Sequence, residues 1–403
     1  MTSLRSYGRS KKTDYQRRDD ICLPENEAID PENWNFSNAD TQYLLHNLHP
    51  YPAKFIPQIA RRAIERWSKP GETILDPFCG SGTALLESAL LGRNSIGVDN
   101  NGVATLISRA KTLTYSDYDL ELFSEKIKEV ERETSNNSAY WKDLVNGIDT
   151  RPFYKGVEKW FDEWAIKDLS WLRHKIQQLP DPAFTLAMAV FSSIIVQVSK
   201  QDSDTRYTAI DRPYKHRSAI SKWIDKAIDS RNRARETTDE RKGVTNHLVY
   251  TRDSRDLSII KSNSVDLIVT SPPYINAYDY HKYHRHRLQW IFSDIGLARD
   301  NEIGKHDIFS RPNASPEAYF EDIERCFHEW NKILKPGAKV FLVVGDGIVN
   351  KKLINVADRI INVSNVEGFF LIKRWVRNID PYRKSFNSSS RMLREHLLLF
   401  GNS

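Results

Sequence analysis

Apolar residues along this chain fall into short runs separated by helical stretches, and the runs share a form. Thr73-Ile74-Leu75 leads to Asp76, and Asn94-Ser95-Ile96-Gly97-Val98 leads to Asp99. Leu248-Val249-Tyr250 leads towards Asp253, and Val265-Asp266-Leu267-Ile268-Val269-Thr270 leads into Ser271. Lys339-Val340-Phe341-Leu342-Val343-Val344 is continuously apolar after its lysine, as in a strand buried on both faces of a parallel sheet. Phe369–Ile372 and His396–Phe400 supply two late strands. Helical spacing predicts helices from Pro57 to about Ser68 and from Thr83 to Leu91, with Pro70-Gly71 a turn between them. Strands alternating with helices imply an α/β fold with a doubly wound parallel sheet.

The alternation stops between residues 112 and 246. That stretch is rich in helix formers and tryptophans, with helical spacing around Phe161 to Leu179 and Phe184 to Val198. It reads as a large helical insertion. The expected organisation is therefore a polar arm (1–44), one half of an α/β domain (45–111), the insertion (112–246) and the second half of the domain (247–403).

Composition narrows the class. At 403 residues, 40% hydrophobic and 28% charged, the chain resembles an ordinary globular protein rather than a disordered one. Ala183 to Val198 is too short and too interrupted to span a bilayer and reads as a buried helix. No secretory leader follows Met1, so the expected compartment is the cytoplasm, with no membrane partner. Three dispersed cysteines give neither a disulfide framework nor a zinc spacing, so no metal is expected. Net charge is +6, and seven basic residues face one acid between Lys373 and Arg394. Clusters of that kind grip phosphates without regard to sequence.

Two strand-end motifs carry the chemistry. In Asp76-Pro77-Phe78-Cys79-Gly80-Ser81-Gly82-Thr83 the glycines allow backbone to approach a ligand closely. The residue three after Gly82 is Leu85, so the loop lacks the third glycine of a nicotinamide-type fingerprint. In Ser271-Pro272-Pro273-Tyr274 the prolines fix φ, remove amide donors and leave carbonyls as acceptors. Carbon-5 methylation of cytosine needs a thiolate, in that family within a Pro-Cys pair, and no such dipeptide occurs.

Together these motifs resemble those of the S-adenosylmethionine-dependent DNA amino-methyltransferases, which methylate cytosine N4 or adenine N6. The resemblance implies a Rossmann-like methyltransferase sheet, with S-adenosyl-L-methionine held by Asp76 to Thr83, by Asp99 and Asn100 at the ribose, and by Asp253 at the adenine. His49–Phe55 resembles the family's N-terminal motif, which places Lys54 and Phe55 near the methionine end. Ser271, Pro272, Pro273 and Tyr274 become the catalytic group, accepting hydrogen bonds from the amine and stacking on a flipped base. Serine at the first position accompanies cytosine N4 more often, so N4 is favoured and adenine N6 stays open. Double-stranded DNA is the implied partner, in a restriction or defence setting. An RNA amino-methyltransferase and a non-catalytic binding protein are the rivals.

Three segments are candidates for DNA contact. The basic and aromatic stretch Tyr278–Trp290 supplies Lys282, Arg285 and Arg287. The insertion supplies Arg206, Arg212, Lys215 and Arg217, whose polar surroundings suit reading of base edges. The C-terminal cluster supplies Arg383, Lys384 and Arg391.

Overall fold

The computed structural model describes residues 33–37, 39–54, 56–135, 140, 143, 155–204, 206–211, 213–292, 296–378 and 394–402. Its central sheet has seven strands: β1 (Thr73–Asp76), β2 (Asn94–Asp99), β3 (His247–Thr251), β4 (Val265–Thr270), β5 (Leu334–Gly345), β6 (Phe369–Asn378) and β7 (Arg394–Asn402). Their spatial order is β6-β7-β5-β4-β1-β2-β3. Strands β3, β2, β1, β4 and β5 pair in parallel, whereas β7 runs antiparallel to both β5 and β6. The all-parallel expectation is corrected at that one strand. Strand β7 lies between β6 and β5, so its enclosed run Leu397–Phe400 is hydrogen-bonded along both edges.

Burial follows the apolar pattern. Ile74 and Leu75 of β1, Leu267 to Val269 of β4 and Val340 to Val344 of β5 are fully enclosed. Helices cover both faces: Pro57–Trp67 packs with Ile74, Leu267 and Phe341, while Glu317–Ile333 packs with Leu75, Ile268 and Val340. The strand order reverses between β1 and β4, and in open α/β sheets that switch point opens a crevice at the carboxyl ends of the strands. Pairing of Ile74 with Leu267 and Leu75 with Ile268 brings Asp76 and Ser271, far apart in sequence, to the same end of the sheet.

The insertion is built from helices Asp117–Ser135, Glu163–Ile176, Ala183–Ile195 and Ser218–Asp239. The apolar stretch read as a buried helix is one, with every residue from Leu186 to Ile195 enclosed. Its core is continuous with the sheet layer, since Leu45, Leu86, Leu90 and Ala110 belong to the same apolar cluster. Two hairpins were not foreseen. One pairs Gln201–Ser203 with Arg206–Ala209 inside the insertion; the other pairs Gly347–Val349 with Lys352–Ile354. The second turns through Asn350 and Lys351, both at positive φ, without the glycine that makes such turns legible. Among the described residues no helix is long and apolar enough to cross a membrane.

Candidate functional site

A cavity enclosing about 810 Å³ of empty space, counted to its open mouth, lies at the switch point. Its walls come from the glycine loop after β1, the end of β2, the turn after β3 and the start of the Ser-Pro-Pro-Tyr loop after β4. Lys54, Asp76, Phe78, Cys79, Gly80, Ser81, Thr83, Asp99, Asn100 and Asp253 all line it, as do Ser271 and Pro273. Pro77, Gly82, Pro272 and Tyr274 are not among its lining residues. Phe55 lies outside the described residues.

The glycine loop is shaped by backbone that side chains resist. Gly82 has φ +74°, and a Cβ there would sit 2.9 Å from the Ser108 Cα, so the helix Gly102–Thr112 closes over it. Gly80 has φ +48°, and the Tyr51 ring edge passes 3.2 Å from where its Cβ would be. The Gly80 amide donates to Asp99 Oδ2 and the Asn101 amide to Oδ1, both at 2.9 Å, which fixes the carboxylate at the cavity wall. Burial pushes Asp99 up to about 6. Asp76, bonded by Thr270 at 2.6 Å, is pushed up to about 7, again by burial. Burial also raises the Cys79 thiol, which fits a packing residue and not a nucleophile. Burial lowers Lys54, whose ammonium donates to the His46 carbonyl.

Asp253 is gripped by Arg255, with Nη2 to Oδ2 at 2.6 Å and Nε to Oδ1 at 3.0 Å, and Arg255 also reaches Asp322. Glu302 joins the same wall. It accepts from the Tyr280 amide at 2.6 Å and from His281, whose Nδ1 lies 2.6 Å away. Neither Arg255 nor Glu302 was singled out from sequence. Glu302 sits in a polar stretch with no motif, and only the fold shows that it lines the same cavity as the glycine loop.

In the Ser-Pro-Pro-Tyr loop the Ser271 hydroxyl lies within donating distance of the Val343 carbonyl, 3.0 Å, and of the Tyr274 hydroxyl, 3.3 Å, and its oxygen stands at the cavity wall. The Pro273 carbonyl is taken by the Tyr319 hydroxyl at 2.9 Å. Among the described residues nothing donates to the Pro272 carbonyl. Tyr274 is nearly enclosed, and its hydroxyl donates to Glu395 Oε1 at 3.0 Å. Glu395, contributed by β7, also lies 3.2 Å from the Arg377 Nε, an ion contact without hydrogen-bond alignment. Sequence gave no sign of this pairing because it joins residues 121 positions apart.

The three DNA-contact segments fare differently. Arg206 and Lys215 are exposed, the first paired loosely with Asp202. Arg217 turns inward, donating to the Thr134 carbonyl beneath the Tyr140 ring. The stretch after the Ser-Pro-Pro-Tyr loop is mostly interior, contrary to the expectation of a nucleic-acid face. Arg287 is 0% exposed, bonding the Ser192 carbonyl at 3.0 Å and Asp204, and His284, His286 and Trp290 are buried with it. A helix so placed packs its aromatic face into the insertion, and the one deep arginine is matched by a carboxylate. Lys282 pairs with Asp279 and Asp307, while Arg285 stays at the surface over the Tyr207 ring. Of the C-terminal cluster, Arg374 and Arg377 are buried in ion pairs. Arg383, Lys384, Arg391 and Arg212 lie outside the described residues. No group of three or more metal-ligating side chains occurs among the described residues.

The fold and the site can be set beside known proteins. A family model described as DNA methylase matches residues 5–108. The type II methyltransferase M.MvaI of Kocuria varians is 24% identical over 91% of this chain and 93% of its own. M.MjaII of Methanocaldococcus jannaschii, also a type II methyltransferase, is 24% identical over 75% of this chain and 72% of its own. M.BsoBI of Geobacillus stearothermophilus, a third type II methyltransferase, is 27% identical over 65% of this chain and 55% of its own.

Proposed function

From the premise that this chain belongs to the amino-methyltransferase family, with S-adenosylmethionine as its cofactor, we propose that it methylates the N4 amine of cytosine in double-stranded DNA. When bound, the cofactor supplies an electrophilic methyl group on a sulfonium. The residues present fit it. Asp99 presents a fixed carboxylate suited to a ribose diol, the glycine loop offers backbone, and Asp253, oriented by Arg255, suits an exocyclic amine.

The observation that carries the reading is the state of the Ser271 and Pro272 oxygens. An exocyclic amine is a poor nucleophile because its lone pair is delocalised into the ring. Acceptors aimed at its protons localise that pair on nitrogen. Ser271 has its own proton engaged by Val343 or Tyr274, and the Pro272 carbonyl has no donor among the described residues, so both oxygens keep lone pairs for such an amine. Tyr274 is the ring that would stack on the flipped base, and enclosing that base offsets an extrusion cost of a few kcal/mol. Methyl transfer would leave the nitrogen cationic and acidic, and its surplus proton would pass to water, while the Ser271 and Pro272 oxygens orient the amine as hydrogen-bond acceptors. Arg206 and Lys215, exposed on the insertion, are the positions we assign to DNA contact. The type II names of the relatives support a place in a restriction–modification pair.

Nucleoside mass spectrometry of duplex DNA incubated with the protein and S-adenosylmethionine tests the assignment. N4-methylcytosine, lost in a Pro272→Ala, Tyr274→Ala variant, is expected. N6-methyladenine would keep the reaction and overturn the base.

A further inference from the structure

One wall of the cavity is aromatic, and the sequence offered its central residue to DNA instead. Tyr280 lines the cavity together with Tyr51, and the two rings lie stacked with centroids 6.5 Å apart and planes 23° off parallel. Tyr51 is braced from behind by His284, stacked at 4.8 Å, and its edge lies over Gly80 of the glycine loop. Tyr280 is braced through its backbone, whose amide donates to Glu302. Among the described residues neither phenol has a hydrogen-bond partner, so packing alone holds these rings at the cavity.

Their position within the cavity is the second observation. The Tyr51 ring edge passes over Gly80, whose amide donates to Asp99, and Tyr280 pairs with Tyr51, so the two rings stand near Asp99 in a cavity that Ser271 also lines. On the reading above, Asp99 marks the ribose and Ser271 the receiving nitrogen. The transferable methyl must lie between them, so the sulfonium that carries it falls beside Tyr280 and Tyr51. Burial keeps both phenols neutral, so each presents an uncharged ring to a cation.

We propose that Tyr280 and Tyr51 form a sulfonium-binding wall that distinguishes the charged cofactor from its neutral thioether product. A ring face attracts a cation through its quadrupole and has no such attraction for a thioether. Adenine, ribose and carboxylate contacts are common to both ligands and cancel in the ratio of their affinities. The wall therefore favours exchange of spent cofactor for fresh.

The inference rests on the S-adenosylmethionine reading, and the test separates the two. Calorimetric titration of the full chain with S-adenosylmethionine and with S-adenosylhomocysteine gives the affinity ratio directly, without turnover. Tyr280→Leu should lower that ratio about three- to tenfold by weakening S-adenosylmethionine alone. Tyr280→Phe, which keeps the ring, should leave it unchanged. Should Tyr280→Leu fail to fold, Tyr51→Leu carries the same comparison, with the same expected direction. Equal weakening of both ligands, or no weakening of either, overturns the sulfonium wall while the cofactor reading stands. Wild-type protein that binds neither ligand overturns both.

Discussion

Glu395 offers a sharp test of how the catalytic loop is held, because it touches Tyr274 without lining the cofactor cavity. Consider Glu395→Gln, which keeps shape and an acceptor oxygen but removes the charge. A hydrogen bond to a charged acceptor contributes about 1.5–3 kcal/mol against about 0.5–1.5 for a neutral one. The Tyr274 bond should therefore weaken by about 1–1.5 kcal/mol. Arg377, only 4% exposed in its side chain, loses the countercharge 3.2 Å away. Removing one partner of a buried pair outright costs about 3–5 kcal/mol, and a retained amide oxygen offsets part of that. A total loss of about 2–3 kcal/mol in stability follows, with Glu395→Ala near the upper figure for a broken pair.

The effect on rate follows from the same bond. If fixing the Tyr274 ring matters chiefly when the base is in place, about 1.4 kcal/mol lost there is a tenfold fall in kcat. The KM for S-adenosylmethionine should not move, since no cavity contact changes. Single-turnover methyl incorporation into duplex DNA, with denaturant melts alongside, measures both. The decisive arm is a double-mutant cycle with Tyr274→Phe. Because Glu395 acts through the phenol, its substitution should cost no further kcat once the hydroxyl is gone. An additive loss in the cycle, or a fully active Glu395→Gln, refutes the positioning argument.

Other perturbations probe other walls. Burial pushes Asp99 up to about 6, and a ribose diol donating to both of its oxygens is held best by the ionised form. S-adenosylmethionine binding should therefore tighten as pH rises through about 6 and release a proton on the acid side, a dependence that Asp99→Asn should flatten in calorimetry. Asp76 is raised by burial from 3.8 to about 7, so its contribution to stability is fully present below about 4 and lost as pH rises through 7. Asp76→Asn keeps an acceptor for Thr270 and Phe78 and should stabilise the free protein at pH 8 by at most about 4 kcal/mol, seen as a higher Tm, with no gain near pH 4. Gly82→Ala meets both a positive φ and the Ser108 backbone, and should lose both stability and cofactor affinity in thermal shift and titration. Arg206→Ala with Lys215→Ala should reduce the salt dependence of DNA binding, the log–log slope falling by about two for two phosphate contacts; an unchanged slope in a gel-shift series would remove the insertion from the interface.

Strands were legible here because the residues that make them are the residues a buried sheet demands. Val340 to Val344 has no polar position on either face, and only an interior strand tolerates that. The acids at the strand ends, Asp76 and Asp99, were legible for the same reason: a charge closing an apolar run marks where the sheet meets solvent or ligand. What failed was inference from the composition of a helix to its surroundings. Tyr278–Trp290 interleaves bases with aromatics, a pattern shared by a nucleic-acid face and by a core helix whose cations have private carboxylates. Asp204 decides between them by neutralising Arg287, and it comes from a hairpin 83 positions away that periodicity could not place. Glu395 and Tyr274 repeat the lesson at the Ser-Pro-Pro-Tyr loop. A motif names the residues that touch the substrate because backbone geometry ties them to one another. The residues that orient the motif are fixed only by tertiary pairing, here by the antiparallel return of β7, so their spacing along the chain carries no signature. Tyr274 is therefore readable from four consecutive residues, while the carboxylate that holds it becomes readable only once the sheet is closed.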